Sequence, residues 1–213
     1  MSDETAAIPA WASWRRVERS RLIAARLAMP AQARREGARL ICAALDRLLP
    51  EPGGLVVAVY WPIRGEPDLR EWVASIRSRG ARCALPVVAA RSAPLVFREW
   101  RPEARLVPGV WNIPEPADGE ALAPQVVIAP LVGHDHRGYR LGYGGGYYDR
   151  TLAACPARPF AIGVGYRAAA LAGFEPQPHD IPMDAIVDEQ GATLRPGLRP
   201  TALPTFVMGP EKP

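Results

Sequence analysis

The chain has 213 residues, of which 48% are hydrophobic and 23% charged, so it is long enough and apolar enough to fold as one globular domain. No stretch is long and apolar enough to cross a membrane, and the acidic start does not follow the pattern of a secretory signal or transit peptide. The formal net charge is +4, carried almost entirely by arginine, which suits a pocket for an anionic small molecule.

Nucleic-acid binding is the weaker interpretation of this positive charge. The arginines are spread along the chain, and no ladder of aromatic and basic residues is present. The three cysteines are scattered, odd in number and lie in apolar stretches, which predicts buried free thiols in a reducing compartment. We therefore expect a cytoplasmic protein, a monomer or small homo-oligomer, that binds neither nucleic acid nor a membrane.

The first fifty residues predict two helices. Apolar residues recur at helical spacing over residues 14–29 and more regularly over residues 31–49. Pro30 separates the two segments, and Pro50 ends the second one. The first helix is rich in arginine.

The next segments predict a parallel sheet. A continuous apolar run over residues 55–61 is typical of a strand that is buried on both faces. Residues 66–80 predict a helix with Pro67 near its first turn, and residues 82–88 predict a second buried strand. Strand, helix and strand with short links form a βαβ unit, which implies that the two strands are parallel.

The middle of the chain alternates between regular and irregular segments. Residues 93–100 predict a more exposed strand, and residues 101–124 predict a long loop rich in proline and acid, with the potential to be functional. Residues 125–133 predict a third buried strand. A glycine-rich loop follows, and a helix is predicted over residues 147–155.

Two further strands complete the predicted sheet. They lie in residues 160–166 and 184–189, and no internal repeat or linker interrupts the chain. The pattern predicts one three-layer α/β domain over residues 1–213, with loosely ordered tails at residues 1–13 and 197–213.

The glycine-rich stretch "GYRLGYGGGYYDRTL" carries the strongest indication of function. It places five glycines within nine residues, between a buried strand and the start of a helix. Bare backbone lets a ligand approach the main-chain N–H groups, and the start of a helix favours an anion such as phosphate. The stretch lacks the G-K-[ST] ending of a P-loop, and Tyr147 stands where G-x-G-x-x-G needs its third glycine. The alternative is a turn that only closes a tight strand-to-helix corner.

Two charged residues beside the glycines favour the phosphate interpretation. Arg140 is able to pair with a phosphate through two hydrogen bonds, and Asp149 is placed to hold a magnesium ion that bridges phosphate oxygens. The alternative for Asp149 is an acid that compensates the dipole at the start of a helix.

The segment "RGYRLGYGGGYYDRTLA" resembles the signature of the 5-formyltetrahydrofolate cyclo-ligases, also called methenyltetrahydrofolate synthetases. Shorter pieces follow in the order of that family: "VYWPIRGEPD", "LPVV", "WNIPEP", "IAPLVG" and "HDIPMDAIVDE". The resemblance extends from about residue 14 to 188. It implies an α/β/α domain with a mainly parallel sheet, similar to NagB, RpiA and CoA-transferase proteins. It also implies closure of a ring on a reduced folate with ATP and Mg²⁺, through a phosphorylated formyl group.

The resemblance also implies roles for particular residues. Asp149 and Asp180 correspond to magnesium ligands, and Arg140 and Tyr147 to catalytic residues. The folate pocket would be lined by Trp61, Glu66, Trp111 and Tyr147. The ATP phosphates would be held by Arg15, Arg19, Arg140, Leu141, Gly142, Tyr143, Gly144, Gly145, Gly146, Tyr147 and Tyr148.

Several of these residues also have plain structural interpretations. Trp61 ends a predicted strand and would fit in the core, and Glu66 precedes a helix start, where a capping role would suffice. Asp180 and Asp184 flank Pro182 and would suit a turn. The three histidines are expected at the surface rather than around a metal.

The chain departs from the family at the nucleotide site. The family usually has a lysine near the N-terminus that reaches the nucleotide phosphates, and Arg15 stands at that position, followed by Arg19. Tyr143 and Gly145 replace basic residues of some relatives. A non-catalytic paralogue that binds folate or nucleotide, or an ATP-dependent enzyme for another pterin-like or anionic metabolite, therefore stays open as an alternative.

Overall fold

The structure, a computed structural model that describes residues 9–198, is organised around a seven-stranded sheet. The helices are α1 (Ala10–Ala28), α2 (Ala31–Leu48), α3 (Arg70–Ser78) and α4 (Tyr147–Ala154). The strands are β1 (Val56–Ala58), β2 (Arg82–Val87), β3 (Val96–Glu99), β4 (Leu106–Pro108), β5 (Pro114–Pro116), β6 (Val126–Pro130), β7 (Gly133–His134), β8 (Arg140–Leu141), β9 (Phe160–Val164), β10 (Ala185–Asp188) and β11 (Gly191–Leu194).

The strand order of the large sheet is β11-β10-β9-β6-β1-β2-β3. The five central strands are parallel, and β3 and β11 pair antiparallel at the two edges. The expectation of an α/β domain with a mainly parallel sheet is confirmed. The short strands β4 and β5 form one separate pair, and β7 and β8 another.

Alternate residues of the parallel strands pack against different layers. Val57 and Cys83 face α2 and α3, whose apolar residues cover one side of the sheet. Ala58 and Ala84 point to the opposite side, towards Leu95 and neighbouring apolar residues. Helix α4 lies on that second side through Leu152. Burial on both faces explains why these strands are continuous apolar runs in the sequence.

Two sequence-based boundaries differ from the structure. Helix α1 begins at Ala10, so a loose tail is the wrong prediction for residues 10–13; Pro9 precedes the first turn, where its missing N–H is no loss. The end of the other predicted tail, from residue 199, lies outside the described residues. Helix α3 begins at Arg70, so Pro67 precedes the helix.

The segment 101–124 is more regular than the predicted loop. It contains the antiparallel pair β4–β5, with a single 3-10 turn at Val110–Asn112 between the two strands. Three of the paired residues are prolines, which only an edge or isolated strand tolerates because proline donates no hydrogen bond. Within residues 9–198, no helix combines the length and apolar character needed to span a bilayer. The three cysteines are free, but only Cys83 is fully buried.

Candidate functional site

A cleft of about 640 Å³ opens at the carboxyl ends of β1, β2 and β6. This is the edge of a parallel sheet at which ligands bind in open α/β proteins, and the volume suits a small molecule. The sequence-predicted residues all lie on its wall: Arg15, Arg19, Trp61, Glu66, Trp111, Arg140, Leu141, Gly142, Tyr143, Gly144, Gly145, Gly146, Tyr147, Tyr148, Asp149 and Asp180. Chain segments from both ends of the sequence therefore meet at one site.

The conformation of the glycine-rich loop requires residues without side chains at several positions. Gly144 has φ of 96° and Gly146 has φ of 62°, a region that side chains with a Cβ rarely adopt. A Cβ on Gly145 would lie 2.7 Å from the ring of Tyr147. Gly146 is also the N-cap residue of α4, so the loop leads directly into the first turn of a helix. The arrangement fits an anion held by main-chain N–H groups.

Arg140 is the buried cation of this site. Its Nη2 donates to Asp149 Oδ2 at 2.9 Å, and its guanidinium lies 5.3 Å from the centre of the Tyr148 ring. The Nε of Arg140 is buried and has no partner among the described residues. A buried, unsatisfied N–H group on the wall of a cleft is available to an oxyanion.

Arg19 supplies a second positive charge near the loop. Its Nε donates to the carbonyl oxygen of Gly142 at 2.7 Å. The pKa of Arg19 is lowered, first because the guanidinium is partly buried and then because the charge of Arg15 lies nearby. Positive charges that repel each other in this way favour the binding of an anion between them.

Arg15 is tied to Asp180 by a two-pronged ion pair. Nη2 and Nη1 lie 2.5 and 3.1 Å from the carboxylate oxygens, and Nη2 also donates to the carbonyl oxygen of Glu175. The guanidinium lies 4.7 Å from the centre of the Phe174 ring. These contacts use the planar fork of arginine, which a lysine lacks.

The environment of Asp180 affects its pKa in opposite directions. Burial acts to raise the pKa, but the hydrogen bonds from Arg15 and from the Gln177 N–H, with the charge of Arg15, outweigh it and hold the pKa below its ordinary value. The 2.6 Å bond from Gln177 also agrees with the turn interpretation of Asp180. Asp184, in contrast, is buried and pairs with Arg158 away from the cleft.

We expect Arg15→Lys to make the protein lose stability at a higher pH during acidification. Because the folded pKa of Asp180 is lowered, its carboxylate stabilises the fold above the unfolded pKa, and this contribution is lost as the pH falls through the lowered value. An ammonium group donates from a single nitrogen and does not reproduce the two parallel hydrogen bonds of the guanidinium fork, so the pKa of Asp180 moves back towards its ordinary range. Thermal unfolding midpoints across an acidic pH series measure the shift.

The matched control is Arg16→Lys, the same change at an exposed neighbouring position of α1. This control should follow the wild-type midpoints at each pH. Identical acid sensitivity of Arg15→Lys and wild type would contradict the role assigned to the Arg15–Asp180 pair.

Asp149 reaches the same end of the cleft as Asp180. Its Oδ1 accepts a hydrogen bond of 3.2 Å from the N–H of Ile181, the residue that follows Asp180. Among residues 9–198 there is no group of three acidic, histidine or cysteine side chains that would hold a metal alone. The two carboxylates fit Mg²⁺ only together with ligand oxygens, which is how this ion usually binds with phosphates.

Two tryptophans form the aromatic part of the wall. Trp61 is half-buried, with its ring edge-on to Trp100 at 6.2 Å, so it belongs partly to the core and partly to the cleft. Trp111 is 68% exposed, and its backbone has φ of 56°. Its ring lies edge-on to Tyr147 at 5.7 Å. The tip of the β4–β5 pair thereby reaches over the glycine-rich loop.

Glu66 does not cap a helix, and that interpretation is wrong. The side chain is 1% exposed, and its carboxylate accepts hydrogen bonds from the Ile63 N–H and the Tyr143 hydroxyl, both at 2.8 Å. Burial raises its pKa, and these hydrogen bonds and the charges of Arg26 and Arg64 counteract the increase only in part. A buried carboxylate on a cleft wall is a group that recognises N–H donors of a ligand.

Some residues around the cleft escaped the sequence-based prediction. Arg26 is buried in α1 behind Glu66, and Arg64 lies over the Tyr143 ring at 5.6 Å. Arg64 belongs to the quoted segment "VYWPIRGEPD", which was a usable signal, whereas nothing distinguishes Arg26 from other arginines of α1. The surface prediction is correct for His136 and His179, but His134 is half-buried and burial lowers its pKa.

The fold and the cleft define an α/β protein in which a glycine-rich loop, suited to bind an anion, lies beside an aromatic wall. The chain belongs to the 5-formyltetrahydrofolate cyclo-ligase family, whose model matches residues 12–189. It is 34% identical over 138 residues to the 5-formyltetrahydrofolate cyclo-ligase of Escherichia coli K12, which covers 62% of this chain and 76% of the relative. The Mycolicibacterium smegmatis protein of the same name is 32% identical over 146 residues, 63% of this chain and 73% of the relative.

The structure also resembles a solved protein of this group. The NMR structure of 5,10-methenyltetrahydrofolate synthetase from Aquifex aeolicus superposes with a TM-score of 0.75 and 28% identity, over 87% of this chain and 94% of that one. The family resemblance inferred from the glycine-rich motif and the shorter pieces is therefore confirmed.

Proposed function

We propose that this protein converts 5-formyltetrahydrofolate to 5,10-methenyltetrahydrofolate with ATP and Mg²⁺. One observation supports this most strongly: the glycine-rich loop, the carboxylates of Asp149 and Asp180, and the aromatic wall line a single cleft. Family membership agrees with this assignment. We also propose that the fold belongs with NagB, RpiA and CoA-transferase proteins, given its parallel sheet with helices on both faces.

The phosphates of ATP would lie in the glycine-rich loop. The unsatisfied Nε of Arg140, the partly buried Arg19 and the N-terminus of α4 supply positive charge and donors there. Arg15, which also lines the cleft, would add a further positive charge near the phosphates. Bound Mg²⁺ would neutralise charge on the phosphate oxygens, with Asp149 and Asp180 as its protein ligands.

The folate would lie on the opposite wall of the cleft. Trp61 and Trp111 offer apolar faces for a flat ring system, and Glu66 offers a carboxylate for its N–H donors. Tyr147, in contact with Trp111, stands between this wall and the loop, so the formyl group would meet the terminal phosphate near its ring.

The reaction mainly requires that the protein align the two reactants and stabilise the charge on the transferring group. The formyl amide is a poor electrophile. Transfer of the terminal phosphoryl group, with release of ADP, would make the formyl oxygen a leaving group; attack by N10 would then close the ring as phosphate departs and N10 gives up its proton. Arg140 and the loop amides would stabilise the charge on the transferring group, and the cleft walls would hold the two reactants in line. No nucleophilic side chain is required.

The test follows turnover of 5-formyltetrahydrofolate whose formyl oxygen is labelled with ¹⁸O. We expect methenyl absorbance to appear only with both ATP and Mg²⁺, and one labelled oxygen to be found in each phosphate released. Absence of methenyl product despite ATP binding would favour the non-catalytic paralogue. Formation of the methenyl product together with unlabelled phosphate would contradict the phosphorylated formyl group but not the overall conversion.

A further inference from the structure

Tyr143 connects the two walls of the cleft. It lies inside the glycine-rich loop, between Gly142 and Gly144, yet its hydroxyl does not stay with the loop. It donates to Glu66 Oε1 at 2.8 Å and accepts a hydrogen bond of 2.5 Å from Arg26 Nη2. The hydroxyl therefore donates its proton to Glu66 on the folate wall and accepts a hydrogen bond from the guanidinium of Arg26.

Arg26 holds this hydroxyl in a defined place. Its Nε donates to the carbonyl oxygen of Arg64 at 3.0 Å, and its Nη1 donates to that of Leu131 at 3.1 Å. The side chain is 7% exposed, and it lies 4.0 Å from Glu66. A guanidinium fixed by two backbone carbonyls gives the hydroxyl a fixed contact, while the backbone of Tyr143 remains part of the glycine-rich loop.

Glu66 in turn depends on Tyr143 for its orientation. Each carboxylate oxygen accepts one protein hydrogen bond, Oε2 from the Ile63 N–H and Oε1 from the tyrosine. A carboxylate has about four acceptor positions, so each oxygen keeps one for a ligand N–H. Loss of the tyrosine hydroxyl would free Oε1 and leave a buried carboxylate short of one donor.

We infer that Tyr143 is a positioning residue that couples nucleotide binding to folate binding through Glu66. The inference rests on the proposed function, because it assigns phosphates to the loop and folate to Glu66. Occupancy of the loop fixes Gly142 and Gly144, and hence the tyrosine between them. The fixed hydroxyl then holds Glu66 in the orientation that the folate requires. Such coupling is reciprocal, so folate must strengthen nucleotide binding by the same factor.

Calorimetric titration of the full chain measures this coupling. The probes are 5-formyltetrahydrofolate and a non-hydrolysable ATP analogue with Mg²⁺, each titrated with and without the other at saturation. For wild type we expect each ligand to raise the affinity of the other about fivefold or more, and for Tyr143→Phe we expect a factor near one. The phenylalanine keeps the ring that packs in the wall, so a loss of coupling in this variant is due to the missing hydroxyl.

Two further measurements separate coupling from folding. Tyr139→Phe makes the same change in the turn between β7 and β8, where the ring stacks on Phe174, and should keep the wild-type factor. The reciprocity of the factor in wild type, measured from both ligands, tests the coupling even if Tyr143→Phe fails to fold.

The outcomes distinguish this inference from the proposed function. Independent binding of the two ligands to wild type, or a wild-type factor in Tyr143→Phe, would overturn the coupling and leave the proposed function standing. Failure of wild type to bind either ligand would overturn both.

Discussion

Arg140→Met should reduce kcat/KM for ATP by about 10²–10³-fold, the loss typical of removing one preorganised donor to a developing charge. Arg140 is buried on the cleft wall, and its unsatisfied Nε is free for a phosphate oxygen. Methionine preserves much of the packing against Tyr148 while it removes the charge. Steady-state kinetics at saturating folate, with ATP varied, measure the effect.

The matched control for this prediction is Arg158→Met. Arg158 also pairs with a buried aspartate, Asp184, but outside the cleft. This variant should lose thermal stability and keep the wild-type kcat/KM for ATP. A change of less than about threefold in Arg140→Met, on a scale where 10²-fold is expected, would show that Arg140 is only a structural partner of Asp149.

Asp149→Asn should lower activity by about 100-fold and raise the Mg²⁺ concentration needed for half-maximal rate. The asparagine oxygen is still able to accept the hydrogen bond from the Ile181 N–H, so the local backbone is retained. The charge that balances Arg140 and would bind the metal is lost. Loss of a direct ligand should cost at least as much as the 10- to 100-fold that is typical of losing a partner in the outer shell of a metal site. Magnesium titrations of the initial rate provide the measurement.

Asp135→Asn is the corresponding control. Asp135 is also buried and paired with an arginine, Arg137, but it does not line the cleft. Its substitution should leave the magnesium dependence unchanged. An Asp149→Asn enzyme with the wild-type magnesium requirement would remove Asp149 from the metal site.

Much of the fold is predictable from local patterns. The parallel strands are continuous apolar runs because both faces are buried, and α2 has clear apolar spacing, whereas that of α1 is only partial and includes the exposed Val17 and Leu27. The pair β4–β5 and strand β11 are not predictable in this way. Their residues include prolines or exposed positions, and pairing with a neighbour, not propensity, makes them strands.

Only the parts of the site that lie in short contiguous motifs are predictable from the sequence. The glycine-rich loop and its flanking charges are contiguous in the sequence. The Arg15–Asp180 pair joins residues 165 positions apart, and the bond between Tyr143 and Glu66 spans 77. Only the fold brings these partners together, so the sequence indicates the residues without indicating that the predicted cations and metal ligands are already paired.

A crystal structure with Mg²⁺ and a non-hydrolysable ATP analogue tests the central claim most directly. We predict phosphates against the backbone of residues 142–146 in contact with Arg140, and a magnesium ion between Asp149, Asp180 and the phosphate oxygens. A nucleotide bound elsewhere, with this loop empty and both arginine–aspartate pairs unchanged, would contradict the account.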